Sequence, residues 1–166
     1  MTDIILSNTR TYDLDTIFIY GSWAFVAFIT YLCVRNPLKV PFILKSIALF
    51  ALIRSLFITL THIGPFPTHI AIDPTSFIRY FVFGGDLFFS GHTGLPFLLS
   101  LIFWDNCTIR YVFIAISITF AIIVLLSHLH YTIDVLSAFF ISYGIFHIAE
   151  WLFKADRQLF DNGIVE

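Results

Sequence analysis

Long uncharged runs of apolar residues, separated by short polar segments, dominate this chain of 166 residues. A helix that crosses a bilayer needs roughly 20 mostly apolar residues. The first run, over 17–34, holds 18 residues without a charge. Together the runs predict five membrane-spanning helices, over residues 17–34, 41–63, 87–104, 111–126 and 133–153. We therefore expect an all-α, multi-pass transmembrane helical bundle.

The polar segments define the rest of the organisation. Residues 1–16 form an N-terminal tail, 17–153 the transmembrane domain, and 154–166 a polar C-terminal tail. Residues 64–86 are rich in proline and glycine, which predicts a loop or a short surface helix. The pattern shows neither an internal repeat nor a second, soluble domain.

Composition agrees with a membrane protein and excludes several other classes. Hydrophobic residues make up 58% of the chain and charged residues only 12%, whereas soluble domains have about 25% charged residues. A net charge of −2 gives no basic surface for nucleic acid. No basic stretch leads into the first apolar run, so we predict no cleavable signal peptide. Cys33 and Cys107 have neither metal-binding nor redox spacing and are expected to be free thiols.

The distribution of basic residues predicts the orientation. With five spans the two termini lie on opposite sides of the membrane. One face collects most of the cations, namely Arg35, Lys39, Lys45, Arg110, Lys154 and Arg157. Arg10 and Arg79 lie on the other face, and Arg54 is buried towards it. Because cytoplasmic loops carry an excess of Lys and Arg, the first face is predicted to be cytoplasmic. The N-terminal tail and the loop over 64–91 then face outwards.

This topology brings ionisable residues together at the outer surface. His92 and His130 are 38 residues apart, enough for one helix down and one helix back. A further group is expected near the same level: Arg54, Arg79, Asp86 and Asp134. Ionisable residues at this depth are costly and usually have a partner or a function. We therefore predict a site where these side chains converge.

The residue types at this site are suited to phosphoryl transfer. His130 and Asp134 are four apart, so a helix beginning there would place both on one face. A carboxylate that accepts a proton from one ring nitrogen leaves the other nitrogen free as nucleophile or base. His92 follows Ser90 and Gly91 at a predicted helix start, where backbone N–H groups favour phosphate. A second imidazole there could protonate a leaving oxygen.

Two segments of the chain resemble the catalytic signatures of sphingomyelin synthases. The first is residues 85–93, Gly-Asp-Leu-Phe-Phe-Ser-Gly-His-Thr, and the second is residues 128–135, His-Leu-His-Tyr-Thr-Ile-Asp-Val. Those enzymes belong to the type 2 phosphatidic acid phosphatase superfamily of membrane lipid phosphatases. A third similarity is looser. Arg54, Thr61, Pro65 and Pro67 resemble a signature of these enzymes that runs from an arginine to a proline at the end of an earlier span. The resemblance covers roughly residues 50–150, the motif-bearing part of the predicted catalytic domain.

The resemblance implies a mechanism that needs no metal or other cofactor. His130 would attack phosphorus with Asp134 orienting it, and the product would be a phosphohistidine. His92 would protonate the leaving group and later deprotonate the acceptor, either a lipid hydroxyl such as that of ceramide or water. The remaining signature and basic residues would bind the substrate phosphate, namely Arg54, Arg79, Asp86, Ser90, Gly91 and Thr93.

Departures from the family pattern refine this expectation. The Lys-x6-Arg-Pro signature of the general lipid phosphatases is absent, and Val124 stands where they carry an arginine. A phosphate monoester carries close to two negative charges, and a diester carries one. A site with few cations therefore favours a phospholipid headgroup as substrate over a monoester. A lipid phosphate phosphatase is the alternative. The family has six spans, of which the first is missing in this prediction.

Structural explanations exist for the same residues. His92, His130 and Asp134 could tie helices together in a non-catalytic membrane protein, or join His128 in a zinc site. The remaining candidates have structural alternatives too: Asp86 as a helix cap or partner of Arg79, Arg54 reaching the surface, Ser90 and Thr93 as caps. His147 and Glu150, near the other end of the last span, are predicted to pair. His62 and His69 flank the outer loop and receive no role.

Overall fold

A computed structural model describes residues 3–61 and 88–162 of the chain. These residues form α-helices joined by short turns, and no strand occurs among them. The helices are α1 (Ile4–Ser7), α2 (Asp15–Arg35), α3 (Val40–Leu60), α4 (Gly91–Ile102), α5 (Cys107–Leu126), α6 (Thr132–Leu152) and α7 (Lys154–Asn162). A 3₁₀ turn, Pro37–Lys39, connects α2 to α3. The all-α prediction is confirmed.

Four of these helices, α2, α3, α5 and α6, are long and apolar enough to span a membrane. Each has 20 or 21 residues, and its ends lie within about four residues of the predicted apolar run. Large apolar side chains such as Leu52 and Phe140 project from their outer surfaces, with 69% and 79% of their area exposed. Such a surface suits contact with lipid acyl chains. The protein thus has the features of a multi-pass integral membrane protein.

Helix α4 is shorter than the predicted span over 87–104. Its 12 residues extend about 18 Å at 1.5 Å per residue, against a hydrocarbon core of about 30 Å. The side chain of Ser90 caps its first turn, and a tight turn at Phe103 ends it. Phe88 and Phe89, which extend the apolar run, precede the helix and pack against α3. Hydropathy therefore overestimated the length of this helix, because the flanking aromatic residues extend the apolar run although they are not helical.

Helix α4 lies at the centre of the bundle, packed against α3, α5 and α6. Leu98 and Leu99 in its middle are completely buried. Gly94 allows the close approach, because a Cβ atom there would lie 2.8 Å from Ser142 Oγ and 3.1 Å from the Phe50 ring. The depth of α4 in the bundle is thus fixed by packing along its whole length.

The two ends of the bundle carry different groups. We call the end that holds Ser90 and residues 127–131 the site end, and the other the opposite end. Helix α1 packs at the site end through Leu6. At the opposite end, residues 154–162 form helix α7, whose Phe160 is buried against the core. The C-terminal segment was predicted as a polar tail, but its larger part is a docked helix.

Candidate active site

His130 lies in a short joint between α5 and α6. Helix α5 ends in a Schellman motif, in which the Leu129 N–H donates to the Val124 carbonyl at 2.9 Å and the His128 N–H donates to the Leu125 carbonyl at 3.1 Å. His128 takes the left-handed conformation that this motif needs, with φ of 53°. Helix capping thus fixes the backbone immediately before His130.

The start of α6 fixes the other side of the joint. The N-cap residue is Tyr131, and its N–H donates to Asp134 Oδ2 at 3.0 Å. Helix α6 begins at Thr132, so His130 precedes the helix, and the condition under which His130 and Asp134 would share a helix face is not met. The turn brings them together instead, with His130 Nδ1 3.7 Å from Asp134 Oδ2. The carboxylate therefore faces Nδ1 of the imidazole.

Asp134 also links the two signature segments. Its backbone carbonyl accepts a hydrogen bond from the Ser90 N–H at 3.1 Å. Its side chain is completely buried, and its Oδ1 has no hydrogen-bond partner among the described residues. A charged carboxylate buried in this way is costly unless a cation or donor faces it. The imidazole of His130 faces this carboxylate, with its Nδ1 3.7 Å from Oδ2.

The first turn of α4 brings His92 to the same place. Ser90 is the N-cap, and its Oγ accepts a hydrogen bond from the Thr93 N–H at 3.4 Å. The ring of His92 packs against Phe18 of α2 and Phe120 of α5, with centroids 4.4 and 5.6 Å apart. These aromatic side chains form one wall around the imidazole. The N-terminal turn of a helix directs N–H groups and a positive partial charge towards a ligand.

Arg54 of α3 completes the group. Its Nε donates to the Phe89 carbonyl at 3.2 Å, and its side chain lies against the Cα of Gly91, where a Cβ atom would come 3.2 Å from Nε. Gly91 therefore leaves the space that Arg54 occupies. His92 interacts electrostatically with both Arg54 and His130. The structure thus brings Arg54, His92 and His130 to one site, as the topology predicted.

The other predicted phosphate-binding residues have different placements. Ser90 and Thr93 are completely buried, and Ser90 serves as a helix cap. A phosphate-binding role for their hydroxyls stays a prediction. Asp86 and Arg79 lie outside the described residues, as do the two histidines without an assigned role, His62 and His69.

Predictions outside this group are tested as well. His147 Nδ1 lies 3.1 Å from Glu150 Oε2, which confirms that pair. Cys33 and Cys107 are free thiols, as expected. Over residues 3–61 and 88–162, no group of three or more His, Cys, Asp and Glu side chains is arranged to hold a metal ion.

Sequence reasoning missed several residues that surround the site. Phe18 and Phe120 contact His92, and Thr11 Oγ1 lies 3.2 Å from His128 Nδ1. Asp3 accepts hydrogen bonds from Thr132. No local pattern signals these contacts, because each joins positions far apart in the chain. The positive φ of His128 follows from the end of α5, which the sequence placed at the right residue.

The assembled groups have complementary chemical abilities. An imidazole whose Nδ1 faces a carboxylate can act through Nε2 as a nucleophile or base. A second imidazole at a helix N-terminus can exchange protons with an oxygen bound there. A guanidinium beside it can neutralise a phosphoryl oxygen. This combination can bind a phosphate ester and transfer its phosphoryl group.

Comparison with known proteins places this geometry in a family context. Residues 84–151 match the family model described as PAP2 superfamily C-terminal. The matched segment is less than half of the chain, and it holds both signature segments. The match supports the type 2 phosphatidic acid phosphatase superfamily, and with it a lipid phosphatase or phosphotransferase function in general. It does not distinguish the sphingomyelin synthases. Comparisons with curated proteins and with solved structures gave no match.

Proposed function

We propose that this protein is a membrane lipid phosphotransferase. It moves a phospho-headgroup from a phospholipid to a lipid hydroxyl such as that of ceramide, or to water, through a phosphohistidine intermediate. The observation that carries the proposal is the pairing of His130 Nδ1 with the buried Asp134 carboxylate, 3.7 Å away, beside His92. That distance exceeds a hydrogen bond, but catalytic contacts are often long before substrate binds.

In the first step, Nε2 of His130 attacks the phosphorus of the headgroup. A P–N bond forms as the P–O bond to the diacylglycerol oxygen breaks. Asp134 stabilises the positive charge that develops on the imidazole by accepting from Nδ1–H. His92 donates a proton to the leaving oxygen, so that diacylglycerol departs as a neutral alcohol. Arg54 balances charge on the phosphoryl oxygens.

In the second step, the acceptor takes the phosphoryl group from His130. The neutral His92 accepts the proton of the acceptor hydroxyl, whose oxygen attacks phosphorus. The P–N bond breaks, and its electron pair returns to Nε2. A lipid hydroxyl gives a new phospholipid, whereas water gives a free phospho-headgroup. Both steps proceed without a metal ion or another cofactor.

The charge of the site supports a diester substrate. Arg54 is the permanently charged cation that the described part of the site provides, and Asp134 is buried close by. A monoester would bring close to two negative charges to this site, a diester only one. A phospholipid headgroup is therefore easier to accommodate than phosphatidic acid.

A lipid phosphate phosphatase is the alternative, favoured by the superfamily match itself. The same histidines would then transfer phosphate from a monoester lipid to water. A non-catalytic membrane relative is the second alternative. It would keep the geometry for packing alone.

The test uses purified protein in phosphatidylglycerol vesicles that contain headgroup-labelled phosphatidylcholine or phosphatidylethanolamine, with and without ceramide or diacylglycerol. We expect the label in a new lipid, or in a free phospho-headgroup, and acid-labile label on the protein. Faster phosphate release from phosphatidic acid would select the phosphatase. If folded protein turns over neither ester, the catalytic proposal is wrong. His147→Gln is a matched control, since that histidine pairs with Glu150 at the opposite end.

A further inference from the structure

The N-terminal segment, residues 3–12, contacts the joint that carries His130. Asp3 Oδ2 accepts a hydrogen bond from the Thr132 N–H at 2.7 Å, across 129 positions of sequence. Asp3 Oδ1 accepts another from the Thr132 hydroxyl at 3.0 Å. Thr132 is the first residue of α6, and a helix cannot satisfy the N–H groups of its own first turn. Asp3 therefore caps the helix that begins two residues after His130.

The same carboxylate orders its own segment. Asp3 Oδ1 also accepts from the Ile5 and Leu6 N–H groups, at 3.0 and 3.2 Å. Leu6 is buried and packs with Tyr131, the N-cap of α6. Desolvation alone would raise the pKa of Asp3, but hydrogen bonds from Thr132, Leu6 and Ile5 outweigh it and lower the pKa below its ordinary value. A negative charge at the N-terminus of α6 is also favoured by the helix dipole.

Two further contacts hold the other side of the joint. The Tyr12 N–H donates to the Leu126 carbonyl at 2.9 Å, at the last turn of α5. Thr11 Oγ1 lies 3.2 Å from Nδ1 of His128, the residue with positive φ. The N-terminal segment thus contacts the end of α5 and the start of α6. The joint between them, 127–131, is held at both sides.

We infer that Asp3 is a positioning residue, which acts through Thr132 to hold residues 127–131 so that the His130 ring stays beside Asp134. The catalytic consequence rests on the proposed function. A displacement of about 1 Å in a catalytic group can lower a rate on the order of a hundredfold. Loss of the Asp3 contacts should therefore lower turnover. Headgroup binding should stay unchanged, because other residues of the site bind the headgroup.

The test compares variants of the full chain in phosphatidylglycerol vesicles with labelled phosphatidylcholine. Asp3→Asn keeps the shape but replaces one acceptor oxygen with a donor, so at least one N–H or O–H group of Thr132, Ile5 or Leu6 loses its partner. Asp3→Glu keeps both oxygens on a longer stem. Asp13→Asn is the matched control, because the Asp13 carboxylate accepts from the nearby Asp15 N–H.

Two measurements are made on each variant, steady-state kinetics and amide hydrogen exchange of residues 126–132. For Asp3→Asn we expect kcat to fall about tenfold to a hundredfold with KM within about twofold, and exchange in 126–132 to accelerate. Asp3→Glu should recover much of the lost turnover, and Asp13→Asn should behave as the natural chain. Kinetics and exchange of Asp3→Asn equal to those of Asp13→Asn would overturn the inference. Equal acceleration throughout α5 and α6 would overturn it too, since it indicates a general loss of stability.

The design separates this inference from the proposed function. If the natural chain turns over no lipid, the proposed function fails, and exchange alone then decides whether Asp3 holds the joint. Faster exchange confined to 126–132 supports the positioning role in that case. Unchanged exchange overturns it.

Discussion

The two ends of the bundle use their charged residues differently. At the opposite end the charges are paired closely: Lys45 with Asp156 at 2.6 Å, and Arg157 with Asp161 at 3.2 Å. At the site end the guanidinium of Arg54 contacts a backbone carbonyl, and His130 stands 3.7 Å from its carboxylate. The pairs of Lys45 with Asp156 and of Arg157 with Glu150 join α7 to α3 and to α6, whereas the pair of Arg157 with Asp161 lies within α7. Those at the site end are grouped around His92, at the N-terminus of α4.

This difference explains why a buried polar cluster can serve a ligand. At the opposite end, charged groups are satisfied by partners within the protein. Arg157 has ion pairs with Glu150 and Asp161, and it also donates a hydrogen bond to the Ile102 carbonyl at the end of α4. A fully satisfied group has little left to offer a substrate. At the site end, helix caps at Ser90 and at Tyr131 position the backbone, and in the proposed function the imidazole and guanidinium groups bind and transfer phosphate. Rigid support of groups that face the reacting atoms is what preorganised catalysis requires.

The largest expected effect distinguishes two histidines at opposite ends. His130→Gln removes the proposed nucleophile, so turnover of labelled phospholipid should fall by more than about a thousandfold, and no phosphohistidine should be trapped. His147→Gln removes an exposed ion pair and should leave turnover within about twofold. The free energy of unfolding of His147→Gln should stay within about 1 kcal/mol of that of the natural chain, because its ion pair is exposed. That of His130→Gln should fall further, because the buried Asp134 carboxylate loses the imidazole that faces it. Equal losses of turnover in the two variants would contradict the hypothesis that only the histidines of the site end take part in the reaction.

The next effect compares two arginines. Arg54→Met should lower kcat/KM on the order of a hundredfold, because the charge that faces the phosphoryl oxygens is lost. Arg54→Lys should recover part of it, since a point charge replaces the planar fork. Arg157→Met should leave kcat/KM within about twofold. Turnover of labelled phospholipid in vesicles measures all three. Full activity in Arg54→Met would show that the charge of Arg54 does not contribute to turnover.

A smaller effect concerns the helix that connects the two ends. Gly94→Ala would place a methyl group 2.8 Å from Ser142 Oγ, and we expect a loss of about 1–3 kcal/mol in the free energy of unfolding. Ser142→Ala in the same chain should restore part of it. Gly144→Ala is the control, because nothing lies within 4 Å of the added methyl group. Unfolding in an SDS titration measures each variant. Equal stabilities of the two alanine variants would contradict close packing at Gly94.

These comparisons show which features the sequence could predict. The four long spans follow from apolar runs, because a bilayer imposes both length and composition on a helix. The convergence of His92, His130 and Arg54 follows from counting those spans. The contact between Asp3 and Thr132 does not, since it joins positions 129 residues apart without a periodic pattern. The length of α4 was overestimated because hydropathy counts the aromatic residues on either side of it, such as Phe89 and Phe103, as part of the span.

The smallest effect tests the opposite end directly. Arg157→Met removes the guanidinium, and with it the ion pairs with Glu150 and Asp161, the hydrogen bond to Ile102 and the cation–π contact with Phe160. We expect a loss of about 1–2 kcal/mol in the free energy of unfolding, mainly because a helix-end carbonyl loses its donor.

The matched control is Lys45→Met, whose ion pair with Asp156 is half exposed on the lysine side and should contribute less than about 1 kcal/mol. SDS titration of both variants gives their stabilities, and phospholipid turnover gives their activities. If Arg157→Met lost activity out of proportion to its stability, the opposite end would control the site through α4. If it lost stability alone, the charges of this end would serve only to stabilise the packing of the helices, and catalysis would depend on the site end.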